Sequence, residues 1–515
     1  MYYMKVVCSM GYFYFPYLLE LIVFIGSGGV FTALTIRNQY VYNVIAQMHN
    51  YTSNNSLDYC AADDNTSSVE DDIVAAEASR WQIYINVACG VPSVFAAIIL
   101  TSWSDKVGRK IPLALTLFGF TISHTLQLVV ILLSWPLYML VVSSLLYGIF
   151  GGFVGMLNIC MAAISDITTK EQRVARYTLL ECSMGLGGGL ISFVCGFWIT
   201  ADGFIPSSYL SASVSLISFL LVGFLPSKTL KVEQQQQING GAVNKIKTNI
   251  NDNMSKAQIH QSSSFARFKL IKQVYTSEHS ICNICDSEFR KDQINLCSHG
   301  GGLRKGRVWR MWFYLLAFNL YLFPVFGTGI FDTMYYLSYP LCFSPTLIGI
   351  RMALSFGSVA LAPGLVLFYK RVLRLSNVTI ILQGIVALIG IDLMISFAKQ
   401  QYVVFIASSF TIFMQVTAPV LRTQISSLAS ISEQGAALSL ISGTENFSNM
   451  LSNVAYLLLY PATLPIYHGF MWCLSCAILL IPLTMITIVW IADKKKLKAS
   501  FSATEEDHSP LIDVD

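Results

Sequence analysis

Residues 81–110 read WQIYINVACGVPSVFAAIILTSWSDKVGRK, and this stretch indicates the class of fold. Its first part, residues 81–102, is mostly apolar and long enough to cross a bilayer as a helix, which takes roughly 20 residues. A short polar loop that carries Arg109 and Lys110 follows it. Because hydrocarbon offers no partner for backbone polar groups, the stretch predicts a membrane-spanning helix that ends at a basic loop.

The composition of the whole chain is also that of a membrane protein. Of 515 residues, 54% are hydrophobic and only 12% are charged. Soluble domains carry roughly 25% charged residues, so an ordinary soluble enzyme, a disordered protein and a protein that coats nucleic acid are excluded. The net charge of +4 is small, so we expect a lipid bilayer around the chain and no nucleic-acid partner.

Apolar runs of similar length recur along the chain in two groups of six. The first group predicts an N-terminal bundle within residues 12–225, and the second predicts a C-terminal bundle within 309–492. An all-α membrane protein with twelve transmembrane helices in two six-helix bundles is typical of secondary transporters. The predicted spans lie at about 13–36, 81–102, 112–134, 137–162, 177–199, 207–225, 309–335, 346–369, 376–398, 402–424, 436–460 and 465–492.

The distribution of Lys and Arg predicts the side of the membrane that each segment occupies. The segment 226–308 holds thirteen Lys and Arg residues, and its Gln run and many Ser and Asn predict a largely disordered linker. The loop 37–80 holds two basic and seven acidic residues. The positive-inside tendency places the linker, both termini and the tail 493–515 in the cytoplasm, and the loop 37–80 outside or in a lumen.

The loop 37–80 also carries three sequences of the N-glycosylation type. Asn50, Asn54 and Asn65 each stand two residues before a Ser or Thr. Because this signal is used in segments that face outside, its presence in this loop favours a glycoprotein with the predicted orientation. Chance occurrence in a loop rich in Ser and Asn is the alternative.

The loop after the second span resembles a known signature. Residues 101–110, TSWSDKVGRK, resemble the pattern G-x-x-x-D-[RK]-x-G-R-[RK] of the major facilitator superfamily, with Thr101 in place of the first Gly. In that superfamily the loop latches the two halves of the protein and governs alternating access. The resemblance therefore implies gating roles for Asp105, Gly108 and Arg109. A loop that only anchors the chain on the cytoplasmic side is the alternative.

Shorter motifs in both halves resemble solute carrier family 46, the family of the proton-coupled folate transporter. The resemblance implies a gating role for Asp166 at the end of the fourth span. It also implies a disulfide between Cys60 in the first outer loop and Cys342 before the eighth span. The motifs are residues 165–168 (SDIT), 179–185 (LLECSMG), 340–342 (PLC), 347–349 (LIG) and 417–422 (TAPVLR).

Glu181 lies a few residues into the fifth span and is the candidate proton carrier. A carboxylate in hydrocarbon is costly when charged, so it can bind and release protons as its surroundings change. The family resemblance implies the same role, and a structural carboxylate is the alternative. Nearby glycines allow another helix to approach closely; they are Gly185, Gly187, Gly188 and Gly189.

Arg422 near the end of the tenth span and Glu445 in the eleventh are candidate substrate-binding residues. A guanidinium stays charged and offers a fork of donors, so Arg422 can hold an anionic substrate or pair with an acid as a gate. An arginine that reaches the membrane interface is the alternative. The span around Glu445 is rich in Ser and Asn, so it should face protein or water. Further ionisable residues in predicted spans include Glu20, His124, Arg351 and Asp392.

The tail contains a candidate sorting signal. Asp507, Leu511 and Ile512 have the spacing of an acidic dileucine signal. Such signals bind sorting adaptors and direct membrane proteins to endosomes and lysosomes. A merely polar tail is the alternative.

The linker contains the only cysteine pattern that suggests a metal. Cys282, Cys285, Cys297 and His299 could hold zinc, but reduced cytosolic cysteines are the better interpretation, so we predict no metal site. The sequence shows no nucleophile motif, nucleotide loop or catalytic metal cluster, so we expect neither an enzyme nor a cofactor.

The sequence therefore predicts a secondary active transporter that carries a small organic anion, folate-like or related, together with protons by alternating access. It predicts a multi-pass protein of the lysosomal or endosomal membrane, or of the plasma membrane. Two other functions stay open. One is facilitated diffusion without proton coupling, and the other is a membrane receptor or scaffold that does not transport.

Overall fold

The computed structural model describes residues 2–49, 67–168, 170–225, 300–428 and 434–506. All regular structure in these ranges is helical, which confirms the all-α prediction. Three groups of predicted features lie outside the described residues and stay predictions. They are the three sequons with Cys60, the Cys and His residues of the linker, and the sorting signal of the tail.

Seven helices and a short 3-10 turn form the described part of the N-terminal half. The fourth crossing is divided into two helices at Gly151 and Gly152, whose φ angles of 93° and 55° favour glycine. The helices are α1 (Tyr2–Met48), α2 (Ser67–Val107), α3 (Lys110–Leu132), α4 (Tyr138–Ile149), α5 (Gly152–Ile167), α6 (Lys170–Asp202) and α7 (Phe204–Leu221), and Val222–Phe224 form the turn.

Eight helices form the described part of the C-terminal half. Three of them, α11 to α13, follow one another closely and together make the tenth crossing. The helices are α8 (Gly300–Leu337), α9 (Pro345–Arg371), α10 (Asn377–Ser396), α11 (Gln401–Ser409), α12 (Thr411–Gln415), α13 (Thr417–Leu428), α14 (Gln434–Thr463) and α15 (Phe470–Glu506).

Eleven crossings within the described ranges are long and apolar enough to span a membrane. The remaining predicted span, the eleventh, corresponds to α14, which has 30 residues but many polar side chains. Its polar groups contact neighbouring helices, as when the Ser448 hydroxyl donates to Asn319 Oδ1 of α8 at 2.7 Å. This explains how a polar helix can lie in the membrane interior, because its hydrogen-bonding groups find partners in protein.

The first outer loop is shorter than the sequence predicted. The predicted loop was 37–80, but α1 continues to Met48 and α2 begins at Ser67. The prediction was wrong because Arg37, Asn38 and Gln39 interrupt the apolar run and suggested its end. In the structure Asn38 and Gln39 are buried, and Arg37 contacts α4 inside the bundle.

Close packing between the two halves depends on small residues of α6. A Cβ atom at Gly185 would lie 2.7 Å from the carbonyl oxygen of Phe356 in α9. Farther along, a Cβ atom at Gly196 would lie 2.8 Å from Cα of Gly349 in the same helix. Other glycines of α6 pack against α1; they are Gly187 and Gly188. The glycines near Glu181 thus allow two helices, rather than one, to approach α6.

The hydrophobic cores of the two halves merge at one end and are distinct at the other. Following the predicted orientation, we call the end where α1 ends and α2 begins the outer end, and the opposite end the cytoplasmic end. One core cluster at the outer end contains residues of both halves, including Tyr42, Phe331 and Tyr460. At the cytoplasmic end each half has its own cluster, around Phe120 and around Phe318. The structure is therefore closed at the outer end.

Polar contacts also join the halves at the outer end. Each of them links a residue of the N-terminal half to one of the C-terminal half. They are a hydrogen bond from the Ser79 hydroxyl to the Leu457 carbonyl oxygen (2.7 Å), one between the hydroxyls of Thr200 and Thr346 (2.7 Å), and a contact between Asp72 Oδ1 and His468 Nε2 (3.0 Å). These contacts must separate for the outer end to open.

The substitution Gly349→Ala tests the contact between α6 and α9. A Cβ atom at this position would lie 2.9 Å from Cα of Gly196, so the helices must move apart. Forcing an extra methyl group into a packed contact costs about 1–3 kcal/mol, which a thermal melt in detergent would record as a lower Tm. Gly357→Ala in the same helix is the control, because a Cβ atom there meets nothing within 4 Å. Equal Tm values for the two variants would contradict the packing argument.

Candidate transport site

Three charged side chains from three helices meet toward the cytoplasmic end. Arg422 of α13 lies between two carboxylates: its Nη1 is 3.6 Å from Glu181 Oε1, and its Nη2 donates to Glu445 Oε1. We call Glu181, Arg422 and Glu445 the charge cluster. Glu181 belongs to the N-terminal half and the other two belong to the C-terminal half. The cluster is therefore an ionic connection between the halves.

Local sequence explains how each side chain reaches the cluster. Glu181 stands four residues before Gly185, where α6 and α9 approach closely, so its side chain is held beside the C-terminal half. Arg422 packs with its guanidinium carbon 5.7 Å from the ring centre of Phe318 in α8. Glu445 projects from the polar helix α14, as the sequence predicted from its Ser and Asn content.

The charge cluster is only partly shielded from solvent. The exposed fractions of the side chains are 24% for Glu181, 21% for Glu445 and 30% for Arg422. Ions can therefore reach the cluster, while the surrounding protein still strengthens their attraction relative to bulk water. One guanidinium faces two carboxylates, so the cluster has one excess negative charge when both carboxylates are ionised. One bound proton balances its charges.

The structure places two of the predicted gating residues, Arg109 and Asp166, in a second ionic contact. Gly108 adopts a φ of 98°, as a tight turn requires. Arg109 Nε is 2.8 Å from Asp166 Oδ2 at the end of α5, and Arg109 Nη1 donates to the Ser104 hydroxyl. The loop is thus fastened to the fourth crossing of its own half. The side chain of Asp105 lies outside the described residues.

Other predicted sites are described in part. Cys342 is disulfide-bonded, whereas its predicted partner Cys60 lies outside the described residues. Asn50, Asn54 and Asn65 are likewise outside, as are Asp507, Leu511 and Ile512. Within the described ranges no group of three His, Cys, Asp or Glu side chains is placed to hold a metal ion.

Arg351 was noted in the sequence but its partner Asp332 was missed, and so was the interior position of Arg37. Asp332 of α8 pairs with Arg351 of α9 at 2.6 Å, and this arginine lies over the ring of Tyr336 at 4.4 Å. Arg37, which the sequence assigned to a loop, lies inside the N-terminal half. The signal for the first pair was present, since consecutive spans carry one acid and one base. The interior position of Arg37 was missed because the first predicted span ends at about residue 36, whereas α1 continues to Met48.

The comparison with protein families decides to which family this arrangement belongs. A family model described as the Major Facilitator Superfamily matches residues 44–331, more than half of the chain. The chain belongs to the major facilitator superfamily. Membership confirms the fold class predicted from the twelve spans and from the loop motif. It also makes the chain a multi-pass membrane protein with a transporter fold.

Relatives within this superfamily extend along nearly the whole chain. The proton-coupled folate transporter of Rattus norvegicus is 25% identical over 477 residues, which cover 91% of this chain and 91% of the relative. The lysosomal proton-coupled steroid conjugate and bile acid symporter SLC46A3 of Gallus gallus is 24% identical over 473 residues, covering 90% of this chain and 92% of the relative. The predicted resemblance to solute carrier family 46 is thereby confirmed.

A solved structure of the superfamily shares the fold. The crystal structure of the human organic anion transporter MFSD10 (TETRAN) matches with a TM-score of 0.56 and 13% identity. The match covers 92% of this chain and 99% of that structure. At this identity the likeness concerns the arrangement of the helices alone.

Removing the acid of the missed pair should destabilise the protein. The side chains of Asp332 and Arg351 are only 5% and 10% exposed, so Asp332→Asn leaves a buried guanidinium without its counter-ion. Loss of one partner of a buried pair costs about 3–5 kcal/mol, whereas replacing both partners by apolar side chains is often far less harmful. We therefore expect a large fall in Tm for Asp332→Asn and a smaller one for Asp332→Leu combined with Arg351→Met. A double variant that is less stable than the single one would contradict the argument.

Proposed function

We propose that this protein is a proton-coupled symporter that carries a small organic anion across a membrane by alternating access. The observation that carries the proposal is the ion pair between Glu181 of one half and Arg422 of the other. Because the pair crosses between the halves, the protonation state of Glu181 alters the attraction between them. Protonation can thereby be coupled to the movement that exposes the solute to one side and then the other.

The balance of charge in the cluster suggests how coupling would work. When both carboxylates are ionised, their two negative charges exceed the single positive charge of Arg422. A proton on Glu181 balances the cluster and removes the attraction of Glu181 for Arg422. The guanidinium then has donors free for an acidic group of the solute, and it remains paired with Glu445.

The relatives support the class of solute. Their names state proton-coupled transport of folate, and of steroid conjugates and bile acids. These compounds share a ring system and at least one acidic group. A guanidinium close to acids that can be protonated is suited to such a solute, because a proton and an organic anion bound together add no net charge to the interior.

Two sets of contacts would act as gates in this mechanism. The outer contacts described above hold the protein closed at the outer end and must break when it opens there. The pair of Arg109 with Asp166 holds the loop after α2 against the end of α5. We propose that Asp105 and Gly108 belong to the same gate, since Asp105 lies in the last turn of α2 and Gly108 makes the turn that presents Arg109 to its partner.

The compartment follows from the tail and from the proton gradient that the mechanism requires. We propose the membrane of lysosomes or endosomes, where the lumen is acidic and the glycosylated loop would face it. Sorting adaptors would bind the signal that contains Asp507, Leu511 and Ile512. The plasma membrane is the alternative, and deletion of this signal with microscopy of the tagged protein separates the two.

Two other functions give different results in one assay. A facilitative transporter would move an organic anion into vesicles equally well with and without a pH gradient. A receptor or scaffold would bind the anion but not move it. A transporter that uses protons would concentrate the anion only with an inward proton gradient. We propose transport and not catalysis, so the solute should be recovered chemically unchanged.

The substitution Glu181→Gln tests the proton carrier. Glutamine keeps the shape of the side chain but cannot exchange a proton, so uptake driven by a pH gradient should be abolished. Exchange of labelled for unlabelled solute at equal pH should continue, because exchange needs no net proton movement. Purified protein in vesicles gives both measurements when labelled folate or taurocholate is added outside. For exchange, the vesicles also contain the unlabelled solute.

A matched control for Glu181→Gln is Glu77→Gln, which changes an acid near the outer end that pairs with His49 rather than with the cluster. It should leave uptake driven by protons unaltered. If Glu181→Gln retained the full pH dependence of uptake, Glu181 would not be the proton carrier.

The substitution Arg422→Ala tests the binding role of the guanidinium. Loss of a charge-assisted contact should weaken binding of an anionic solute by about tenfold, corresponding to roughly 1.4 kcal/mol. A neutral amide analogue of the same solute should lose far less. Competition of both compounds against a labelled solute measures the two affinities, and equal losses for both would indicate a structural role for Arg422.

A further inference from the structure

Arg37 is a guanidinium inside the N-terminal half that the mechanism above does not use. It lies on α1 level with α4, where its Nη1 donates to the Ser144 hydroxyl at 3.1 Å. Its Nε atom is buried and has no acceptor. The residue as a whole is half-buried.

Three arginines in other crossings have carboxylate partners. They are Arg176 with Glu20 at 2.9 Å, Arg351 with Asp332 at 2.6 Å, and Arg422 with Glu181 and Glu445. Arg37 differs, because among the described residues no carboxylate lies within ion-pair distance of it. A guanidinium remains charged even when buried, and a single hydroxyl does not balance its charge. This position therefore favours a negatively charged partner that is not part of the described chain.

The neighbours of Arg37 are polar but uncharged in their ordinary states. Cys89 of α2 and Tyr147 of α4 are close enough to interact with it electrostatically, as is His124 of α3. His124 Nδ1 is hydrogen-bonded to the Ser215 hydroxyl at 2.5 Å. These neighbours provide hydrogen-bonding groups around the guanidinium without neutralising it.

Further unpaired polar groups follow Arg37 directly on α1. The Oδ1 atom of Asn38 and both amide atoms of Gln39 are buried and lack hydrogen-bond partners. Their side chains are 2% and 0% exposed. Buried polar atoms are nearly always paired, so water or another partner is expected at these atoms. Because successive residues of a helix face different directions, these atoms do not belong to the surroundings of Arg37.

We infer that Arg37 forms a binding site for the acidic group of the transported solute, a carboxylate, sulfate or sulfonate of an organic anion. Ser144 orients the guanidinium, and its remaining donors form the fork that such a group accepts. The inference rests on the proposed function and adds a second guanidinium to it. Arg422 lies toward the cytoplasmic end and is shared by two acids, whereas Arg37 lies toward the outer end without one.

Binding can be measured without transport by the rise in Tm that a ligand causes in the purified full chain. The probes are folic acid, taurocholate and estrone sulfate, each titrated into detergent-solubilised protein. At least one should raise the Tm of the unaltered protein in a saturable way. Arg37→Gln should weaken the apparent affinity for that probe about tenfold or more, as expected for the loss of a charge-assisted contact.

The control is Arg371→Gln, which removes an exposed arginine at the cytoplasmic end of α9 and should leave the affinity unchanged. Arg37→Lys keeps the positive charge and should retain part of the affinity. Ser144→Ala removes the hydrogen bond that orients the guanidinium and should weaken binding to a smaller extent. These two variants also test the inference if Arg37→Gln does not fold.

The inference is overturned if none of the three probes stabilises the unaltered protein. It is also overturned if Arg37→Gln binds the probe with the affinity of the Arg371→Gln control. If Arg37→Gln does not fold, the same result for both Arg37→Lys and Ser144→Ala overturns the inference. Failure of the proposed function looks different, because the probes would then bind and depend on Arg37 but would not accumulate in vesicles under a proton gradient. The two results therefore distinguish a wrong binding site from a wrong mechanism.

Discussion

The sharing of one arginine between two glutamates of opposite halves is the interaction on which the proposed mechanism depends. Arg422 cannot neutralise Glu181 and Glu445 together, so the cluster retains an excess negative charge unless a proton or another cation joins it. In a protein interior such an imbalance is felt over a longer range than in water. Because the cluster lies between the halves, the excess charge changes the electrostatic attraction between the two bundles.

The same electrostatic constraint organises the rest of the interior. Hydrocarbon penalises an isolated charge, and in the described ranges the pairs Arg176 with Glu20 and Arg351 with Asp332 satisfy that constraint within one half. Such pairs hold helices of one bundle together during movement. Pairs between bundles have the opposite property, because every transport cycle must weaken them. For pairs within the crossings, location more than strength separates structural charges from functional ones. The pair of Arg109 with Asp166 lies at the loop after α2 and does not belong to this group.

Much of the fold could be predicted from the sequence, because the length and spacing of apolar runs follow directly from the thickness of a bilayer. The polar character of α14 was also predictable from its Ser and Asn residues. The pairing of Glu181 with Arg422 was not predictable, because these residues are far apart in the sequence and meet only through packing of α6 near α13. Arg37 was misplaced for a physical reason: a charge at the end of an apolar run usually marks the membrane surface, and here the helix continues beyond it.

The contact of Gly196 with Gly349 has a mechanical consequence. It lies close to the outer ends of α6 and α9, and these helices have only backbone between them at that point. About 33 Å of α9 extends from there to Arg371, at 1.5 Å per residue. A tilt of about 10° around this pivot would move the far end of the helix by about 6 Å while the near end hardly shifts, given that lever length. The contact of Gly185 with Phe356 lies between this pivot and the far end, so such a rotation would widen the cytoplasmic end only by separating these two residues.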